Sequence, residues 1–386
     1  MRIVIAGGGT GGHTSAGLAV AAELRAAGID VRWIGSRGGI EARRVPAAGI
    51  VFQAIPTGKL RRYWDWQNVP DLALRVPAGI VAARRLLRGL QADLLFATGG
   101  FVCLPPALAA RSLGVPIVVH EQTSVPGLAN RIVARLARRI LLTFPPPPGH
   151  GWPPERLAVT GNPLRPELAG GSGEAARRLF GLDAALPVVY VTGGAQGAHR
   201  INRVVGEALL NLLERTQVIH QCGDNAATGD RAWLAGRAEA LPGALRSRYV
   251  PVPYVGAELA DVYAAADLVI GRSGAGTVNE CCHLGRPSLL IPLPGTSGNE
   301  QVVNARLVER AGGALVLLQA SLTEERLVDA VTSLLADRPR LAAMGEKARA
   351  LAVPDAAQRI ADELLAVAGS RARGGSGARR GAPGRA

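Results

Sequence analysis

The sequence lacks the features that would place it among membrane-spanning, secreted or disulfide-bonded proteins. No run of about 18 uninterrupted apolar residues occurs in its 386 residues, which argues against a transmembrane helix. The N-terminus enters an apolar, strand-like run at once, so we expect no signal peptide. The four cysteines show no C-x-x-C spacing, and we expect them to be reduced structural residues of a cytoplasmic protein.

Motifs for ATP and metal binding are absent too. The sequence contains no G-x-x-x-x-G-K-S/T, no Asp-x-Asp and no cluster of His, Cys and Asp at metal-ligand spacing. We therefore expect no ATPase P-loop, no metal site and no cofactor.

Arginine, in contrast, is abundant, and the net charge is +14 at pH 7. Residues 1–162 contain nineteen Arg or Lys and eight Asp or Glu, and residues 369–386 contain five Arg and no acid. A basic first half predicts an anionic partner surface, for which nucleic acid and anionic lipid are the candidates. An arginine-rich composition that only reflects a GC-rich genome is the alternative.

Apolar, strand-like runs alternate with helical patterns along the chain in two series. Strands that are apolar on both faces and separated by helices predict parallel sheets. We therefore predict an α/β protein with two doubly wound, Rossmann-like domains, residues 1–162 and 163–354. A last helix, at about 355–367, is expected to pack back on the first domain, and residues 369–386 are expected to be a disordered basic tail. The predicted strands are residues 2–6, 31–35, 51–55, 93–98, 116–120, 139–144, 157–160, 187–192, 217–221, 248–252, 267–271, 287–292 and 314–318.

A glycine-rich turn follows the first strand and matches G-x-G-x-x-G over residues 7–12. A dinucleotide-binding loop needs an acidic residue at the end of the second strand for the ribose hydroxyls. That strand ends in Ser36 and Arg37, which argues against NAD and leaves NADP as a weaker alternative. The loop is therefore expected to bind another kind of phosphate.

The second half repeats this arrangement at residues 193–197 and 273–276, each between a strand and a helix. Such a turn presents backbone N–H groups and the positive end of a helix at the carboxyl edge of the sheet, which favours phosphate binding. Glu280, one turn into the second helix, is either a ribose ligand or a plain first-turn acid. If the edges of the two domains face each other across a cleft, the cleft suits transfer from a nucleotide-linked donor to a phosphorylated acceptor.

Eight stretches spread over nearly the whole chain resemble the motifs of a known enzyme family. They are GGGTGGHTSAGLAVA (7–21), TGGF (98–101), HEQTSVPGLANR (120–131), TGNPLR (160–165), GGAQGAHRIN (193–202), HQCG (220–223), YAAADLVIGRSGAGTVNE (263–280) and EQVVNA (300–305). In this order they resemble the bacterial N-acetylglucosaminyltransferases that convert lipid I to lipid II in peptidoglycan synthesis. That family has the GT-B fold, with two Rossmann-like domains facing each other across an interdomain cleft.

The resemblance implies an inverting transfer of GlcNAc from UDP-GlcNAc to the MurNAc 4-hydroxyl of lipid I. Within the donor site it implies that Glu280 binds the ribose, the Val255 backbone the uracil and Gln301 the GlcNAc hydroxyls. The implied donor-binding residues are Thr123, Arg165, Gly194, Ala195, Gln196, Val255, Ser273, Gly274, Glu280 and Gln301. The implied acceptor-binding residues are Thr10, Gly11, Gly12, His13 and Asn130. Three positions depart from the family pattern, namely Thr123 for Asn, Ala195 for Ser, and Glu300 for His or Gln.

The reaction needs a base for the attacking hydroxyl and stabilisation of the leaving UDP. His13 is the first candidate for the base because its ordinary pKa suits neutral pH. Glu121 is the alternative base, and a His13 that only bonds the loop or the diphosphate is the alternative role. His120 is expected to be structural, and the helix amides near Gly194 and Gly274 are expected to stabilise UDP.

Residues 58–89 combine arginines with Tyr63, Trp64 and Trp66, a composition typical of an interfacial surface. A solvated loop followed by an ordinary packed helix is the alternative. We therefore predict a peripheral protein on the cytoplasmic face of the cell membrane. Its expected partners are UDP-GlcNAc, lipid I, the anionic membrane surface and cell-wall synthesis proteins, without nucleic acid. The alternatives are another GT-B glycolipid glycosyltransferase, or a non-catalytic nucleotide- or nucleic-acid-binding protein.

Overall fold

A computed structural model describes residues 1–58, 74–146, 149 and 151–376. Contacts divide the chain into two compact units, one made of Met1–Pro163 with the chain from Pro354 onward, and the other of Leu164–Val353. Each unit contains a single parallel sheet within its described residues.

The first unit has a seven-stranded sheet in the order β3-β2-β1-β4-β5-β6-β7. Its strands are β1 (Arg2–Gly7), β2 (Asp30–Ser36), β3 (Val51–Ile55), β4 (Leu94–Gly99), β5 (Ile117–Glu121), β6 (Arg139–Leu142) and β7 (Leu157–Val159). Its first five helices are α1 (Gly11–Ala26), α2 (Glu41–Ala47), α3 (Val76–Gly89), α4 (Leu104–Ser112) and α5 (Leu128–Leu136). Both faces of the sheet are covered, because Ile3 and Ile5 of β1 belong to one apolar core and Val4 and Ala6 to another.

The second unit has a six-stranded sheet in the order β10-β9-β8-β11-β12-β13. Its strands are β8 (Val188–Thr192), β9 (Gln217–Gln221), β10 (Tyr249–Val252), β11 (Leu268–Gly271), β12 (Ser288–Leu290) and β13 (Ala314–Val316). Its helices are α6 (Gly173–Phe180), α7 (His199–Glu207), α8 (Leu209–Leu213), α9 (Asp230–Glu239), α10 (Gly243–Arg246), α11 (Leu259–Ala265), α12 (Ala275–Leu284), α13 (Glu300–Arg310), α14 (Glu324–Ala336) and α15 (Arg338–Arg349).

The two sheets confirm the predicted α/β architecture of parallel strands, and all thirteen predicted strands are present. Several strands are shorter than predicted at their carboxyl ends. β12, for example, ends at Leu290 instead of 292, since Pro292 has no amide with which to continue the ladder. Strand order reverses between β1 and β4 in the first sheet and between β8 and β11 in the second. Such switch points are where doubly wound sheets bind ligands.

The last helix, α16 (Ala356–Ser376), packs on the first sheet. Ile360, Leu364 and Ala368, spaced one turn apart, lie in the same core as Ile5 of β1. Arg139 on β6 donates a hydrogen bond to Glu363 at 2.7 Å. The sequence predicted that this helix ends near residue 367, but it continues to Ser376, and the buried Ala368 extends the apolar stripe one position past the predicted end. Of the predicted disordered tail, residues 377–386 lie outside the described residues.

None of the helices in the described part of the chain combines the length and apolar character that a bilayer span requires.

Candidate functional site

The glycine loop of the first unit lies at the switch point between β1 and β4. Thr10 caps α1, and its hydroxyl accepts a hydrogen bond from the His13 amide at 3.5 Å. The His13 ring packs against Gly99, where an added Cβ would lie only 2.7 Å from the ring Cε1. Gly99 and Gly100 have φ values of +109° and +80°. These two glycines are therefore needed both for their backbone angles and for the space that His13 occupies.

Burial is the main influence on the pKa of His13 and lowers it below its usual value. The Thr98 backbone and the Glu41 carboxylate act in the opposite direction but do not reverse the shift. His13 is consequently neutral near pH 7, and the neutral ring is the form that can accept a proton.

Glu121, the alternative base, ends β5 and is 3% exposed. Its carboxylate accepts hydrogen bonds from the Thr123 amide at 3.0 Å and the Asn130 side-chain amide at 2.8 Å. Burial raises the pKa of this carboxyl, while these hydrogen bonds favour the ionised form. In this geometry Glu121 anchors the segment that follows β5.

Asn130, an expected acceptor ligand, is 5% exposed and directs its amide at Glu121 and at the His120 carbonyl, 3.4 Å away. Thr123 belongs to the first unit, whereas the other expected donor residues belong to the second. Its hydroxyl lies 2.6 Å from the Val125 carbonyl and 2.9 Å from a Glu121 oxygen. The Gln122 side chain donates to the Gly12 carbonyl at 3.2 Å. The structure thus brings Glu121, Thr123 and Asn130 into one network.

Glu41 on α2 is a residue that the sequence analysis missed. It is fully buried, and its carboxylate accepts hydrogen bonds from the amides of Gly9 and Ser36, both at 3.0 Å. The only sequence signal was an acid in the first turn of a short helix, which is a common feature with many explanations.

In the second unit the loop at residues 193–197 connects β8 to α7. The Gly194 amide donates to Thr192 Oγ1 at 3.2 Å, and Gly197 closes the turn by donating to the Gly194 carbonyl at 3.0 Å. Gly194, Ala195 and Gln196 at the tip are exposed. The tip therefore presents backbone to solvent directly before a helix N-terminus, where an anion is favoured.

The neighbouring turn, between β11 and α12, places Gly274 at the N-cap of α12. An added Cβ at Gly274 or Gly276 would meet nothing within 4 Å, and neither residue has a positive φ. Packing and backbone angle therefore do not explain these glycines, and the turn leaves room for a ligand to approach its backbone. Ser273 is buried and its hydroxyl donates to the Gln301 carbonyl at 2.7 Å. The Gln301 side-chain oxygen accepts from the Leu293 amide at 3.0 Å, which leaves its amide group to donate to a ligand.

The structure brings Glu280 and Arg165 together as an ion pair at 2.7 Å, with side chains 15% and 23% exposed. Tyr263 donates to the other Glu280 oxygen at 2.7 Å. Burial opposes the charge of Arg165, but Glu280 keeps the pKa of its guanidinium above the usual value. Burial, reinforced by Glu280, raises the pKa of Tyr263 well above its ordinary range.

Val255 is fully buried, and its amide donates to Gln221 Oε1 at 3.0 Å. A uracil at this position would therefore have to be bound through the Val255 carbonyl.

Comparisons with known proteins agree with this two-unit arrangement. Residues 3–142 match the glycosyltransferase family 28 N-terminal domain, and residues 188–360 match the family 28 C-terminal domain. The chain is 40% identical over 387 residues to a UDP-N-acetylglucosamine–N-acetylmuramyl-(pentapeptide) pyrophosphoryl-undecaprenol N-acetylglucosamine transferase of Nocardioides sp., covering 97% of this chain and 100% of the relative. The chain belongs to glycosyltransferase family 28. A relative with the same name from Halorhodospira halophila is 39% identical and covers 93% of this chain and 96% of its own.

Solved structures give the fold of this family 28 glycosyltransferase. The crystal structure of Acinetobacter baumannii MurG matches with a TM-score of 0.72 at 28% identity, over 94% of this chain and 99% of that chain. The calicheamicin glycosyltransferase CalG4 matches with a TM-score of 0.66 at 19% identity and supports the fold alone. The predicted GT-B fold and the predicted family are thereby confirmed, as is the glycosyltransferase class of the enzyme.

Proposed function

We propose that this enzyme transfers GlcNAc from UDP-GlcNAc to lipid I and so forms lipid II for peptidoglycan synthesis. The observation that carries the proposal is the 40% identity, over 97% of the chain, to a relative whose name states this reaction. The MurNAc 4-hydroxyl would attack the anomeric carbon with inversion and release UDP.

The second unit would bind the donor. Amides at the loop 193–197 and at the start of α12 would stabilise the diphosphate and the charge that develops on the leaving UDP. Glu280 uses one hydrogen bond on each oxygen, and a carboxylate has further lone pairs for ribose hydroxyls. The Val255 carbonyl would bind the uracil, and the Gln301 amide group would bind a GlcNAc hydroxyl.

The first unit would bind the acceptor. Thr10, Gly11 and Gly12 would offer the amides of α1 to the diphosphate of lipid I, and His13 would take the proton of the attacking hydroxyl. The neutral state of His13 supports this choice over Glu121, whose carboxylate is already held by its neighbours. Replacing His13 with Ala should then lower turnover about 10²- to 10⁴-fold, with UDP affinity nearly intact.

The polyprenyl tail of lipid I stays in the bilayer, so we propose a peripheral position on the cytoplasmic membrane face. The aromatic residues that first suggested this, Tyr63, Trp64 and Trp66, lie outside the described residues. A separate feature of the first unit supports it. A cavity of about 550 Å³ is lined by Arg111, Arg135, Arg138 and Arg156 together with Leu136, Ala137, Val367 and Ser370, and no acid is among these described residues.

An acceptor assay tests the proposal. The purified chain is incubated with radiolabelled UDP-GlcNAc and either lipid I or diacylglycerol, and the lipid products are separated. We expect label in lipid II only, and none when the MurNAc 4-hydroxyl of lipid I is replaced by hydrogen. Transfer to diacylglycerol without transfer to lipid I would instead indicate another glycolipid glycosyltransferase.

A further inference from the structure

Glu41 contacts neither substrate in the proposed chemistry and acts on His13 only through its charge, yet it lies at the ends of two strands beside the glycine loop of the first unit. We propose that Glu41 is a positioning residue whose carboxylate holds the glycine loop of the first unit in the conformation that binds the acceptor. The role in acceptor binding rests on the proposed function, whereas the holding of the loop does not.

The hydrogen bonds of Glu41 join segments that are distant in sequence. One carboxylate oxygen accepts from the Gly9 amide at 3.0 Å, in the loop after β1. The other accepts from the Ser36 amide at 3.0 Å and the Ser36 hydroxyl at 2.5 Å, at the end of β2. Because Gly9 directly precedes the Thr10 cap of α1, Glu41 fixes the entry of the chain into this helix.

The surrounding glycines fit the carboxylate closely. An added Cβ would lie 2.2 Å from Glu41 Cδ at Gly8, 2.2 Å from its carboxylate oxygens at Gly39 and 2.8 Å from its Cγ at Gly35. Gly35 and Gly39 have no positive φ, so their backbone angles do not require glycine. Room for the Glu41 side chain explains Gly39, and at Gly35 it acts together with the Phe52 ring, whose Cε2 would lie 2.6 Å from the added Cβ. A first-turn acid that only favours the helix dipole would not need such room.

The charge of Glu41 does not favour an anionic ligand, so its role has to come from geometry. A buried carboxylate near a loop that binds a diphosphate opposes binding through its charge, so a gain in geometry has to outweigh this cost. We attribute this gain to the backbone N–H groups around Glu41, which donate to both carboxylate oxygens and so fix the loop. Only a hydrogen-bond acceptor can satisfy these N–H groups. A glutamine in its place would direct an NH₂ group at one of these amides.

The test compares Glu41→Gln with Glu155→Gln, which removes an exposed acid from the same unit. We expect Glu41→Gln to raise the KM for lipid I about ten- to a hundredfold, the loss expected for a hydrogen bond to a charged group. The KM for UDP-GlcNAc should stay within about twofold of wild type. Glu41→Asp should recover part of the loss, since it restores an acceptor on both oxygens.

Amide hydrogen exchange makes the test independent of activity. In Glu41→Gln the amides of residues 9–13 should exchange faster, while those of the loop at 193–197 should not change. If the amides of residues 9–13 exchange faster in the variant but the wild-type enzyme does not use lipid I, the proposed function is wrong. The inference that Glu41 holds the glycine loop is then still supported. Unchanged exchange at residues 9–13 together with an unchanged KM for lipid I would overturn the inference. An equal rise in KM for lipid I and for UDP-GlcNAc would overturn it too.

Discussion

At the residue scale, a glycine can be required by its backbone angle, by a neighbouring side chain or by a ligand, and the structure shows examples of the first two. Gly194 has a φ of +77°, which a residue with a Cβ rarely adopts. Gly35 has an ordinary angle but lies against the side chains of Phe52 and Glu41. Gly274 and Gly276 have neither constraint, and for these two we propose that a ligand is the reason.

This reasoning predicts that Gly276→Ala weakens UDP binding without harming the fold. The added methyl enters open space beside the turn, so the melting temperature should stay equal or rise slightly. Affinity for UDP, measured by titration calorimetry, should fall about tenfold or more if the methyl meets the diphosphate. Gly236→Ala, at a helical glycine that also faces open space, is the matched control and should leave affinity unchanged. Equal affinity for UDP in both variants would show that the diphosphate does not contact this turn.

Glu280 offers a second test of the donor site. Glu280→Gln keeps the shape of the side chain but removes the charge that would bind the ribose and that now pairs with Arg165. We expect UDP affinity to fall about tenfold or more, in line with ~1.5–3 kcal/mol for a hydrogen bond to a charged group. Tyr263→Phe removes only the hydroxyl bond to Glu280 and should bind UDP nearly as wild type does. A folded Glu280→Gln protein with wild-type affinity would contradict the ribose assignment.

Buried histidines predict how stability depends on pH. Burial lowers the pKa of His120 to about 4 and that of His220 to about 3. In the unfolded chain these histidines have a pKa of about 6.5, so below that pH the unfolded chain binds protons that the folded chain does not bind. The free energy of unfolding therefore falls as the pH drops from about 6.5 towards about 4. Each such histidine lowers the free energy of unfolding by about 1.4 kcal/mol per pH unit in this range. Above this range its contribution does not change with pH.

Thermal unfolding at pH 7.5 and pH 5 checks this expectation. The melting temperature of wild type should be clearly lower at pH 5. His220→Gln loses the bonds of the ring to Tyr249 and Asn202, so it should melt lower at pH 7.5 but show a smaller decrease towards pH 5. An equally steep decrease in the variant would assign the pH dependence to other groups.

At the scale of elements, the last helix completes the core of the first unit. Leu364 of α16 is fully buried beside β1 and α1. Leu364→Ala should lower the free energy of unfolding of this unit by about 2–5 kcal/mol, the usual cost of such a cavity. Asp362→Ala, on the exposed side of the same helix, should have little effect. The two variants are compared by thermal unfolding, and similar melting temperatures would show that α16 contributes little to the unit.

At the scale of the whole molecule, the sheets follow from the sequence because most buried strands, such as β1 and β4, are apolar on both faces, a pattern that is visible in the residues themselves. The glycine turns follow as well, since glycines after a strand are a local signal. The contacts of Glu41 and the pairing of Arg165 with Glu280 do not, because they join residues that only the fold brings together. For the same reason the sequence did not reveal that the Ser273 hydroxyl donates to the Gln301 carbonyl.

The distribution of charge over the molecule gives the last prediction. Four arginines of the first unit, Arg111, Arg135, Arg138 and Arg156, border one cavity without an acidic residue among its described lining residues. Each cation near an anionic bilayer contributes about 1 kcal/mol, so changing three of them to Glu should weaken vesicle binding by two orders of magnitude or more. The effect should shrink as salt rises, since the Debye length is only about 10 Å at 0.1 M.

Co-sedimentation with vesicles that contain or lack phosphatidylglycerol measures this for Arg111→Glu, Arg135→Glu and Arg138→Glu combined. The control changes three exposed arginines of the second unit, Arg215, Arg231 and Arg246, to Glu and so alters the net charge equally. We expect the first triple variant to lose binding to anionic vesicles and keep its affinity for UDP, and the control to bind vesicles much as wild type does. If both variants lose binding equally, net charge and not this cavity governs the attraction. If neither does, the membrane contact lies elsewhere on the molecule, because three reversed charges at a true contact would oppose binding strongly.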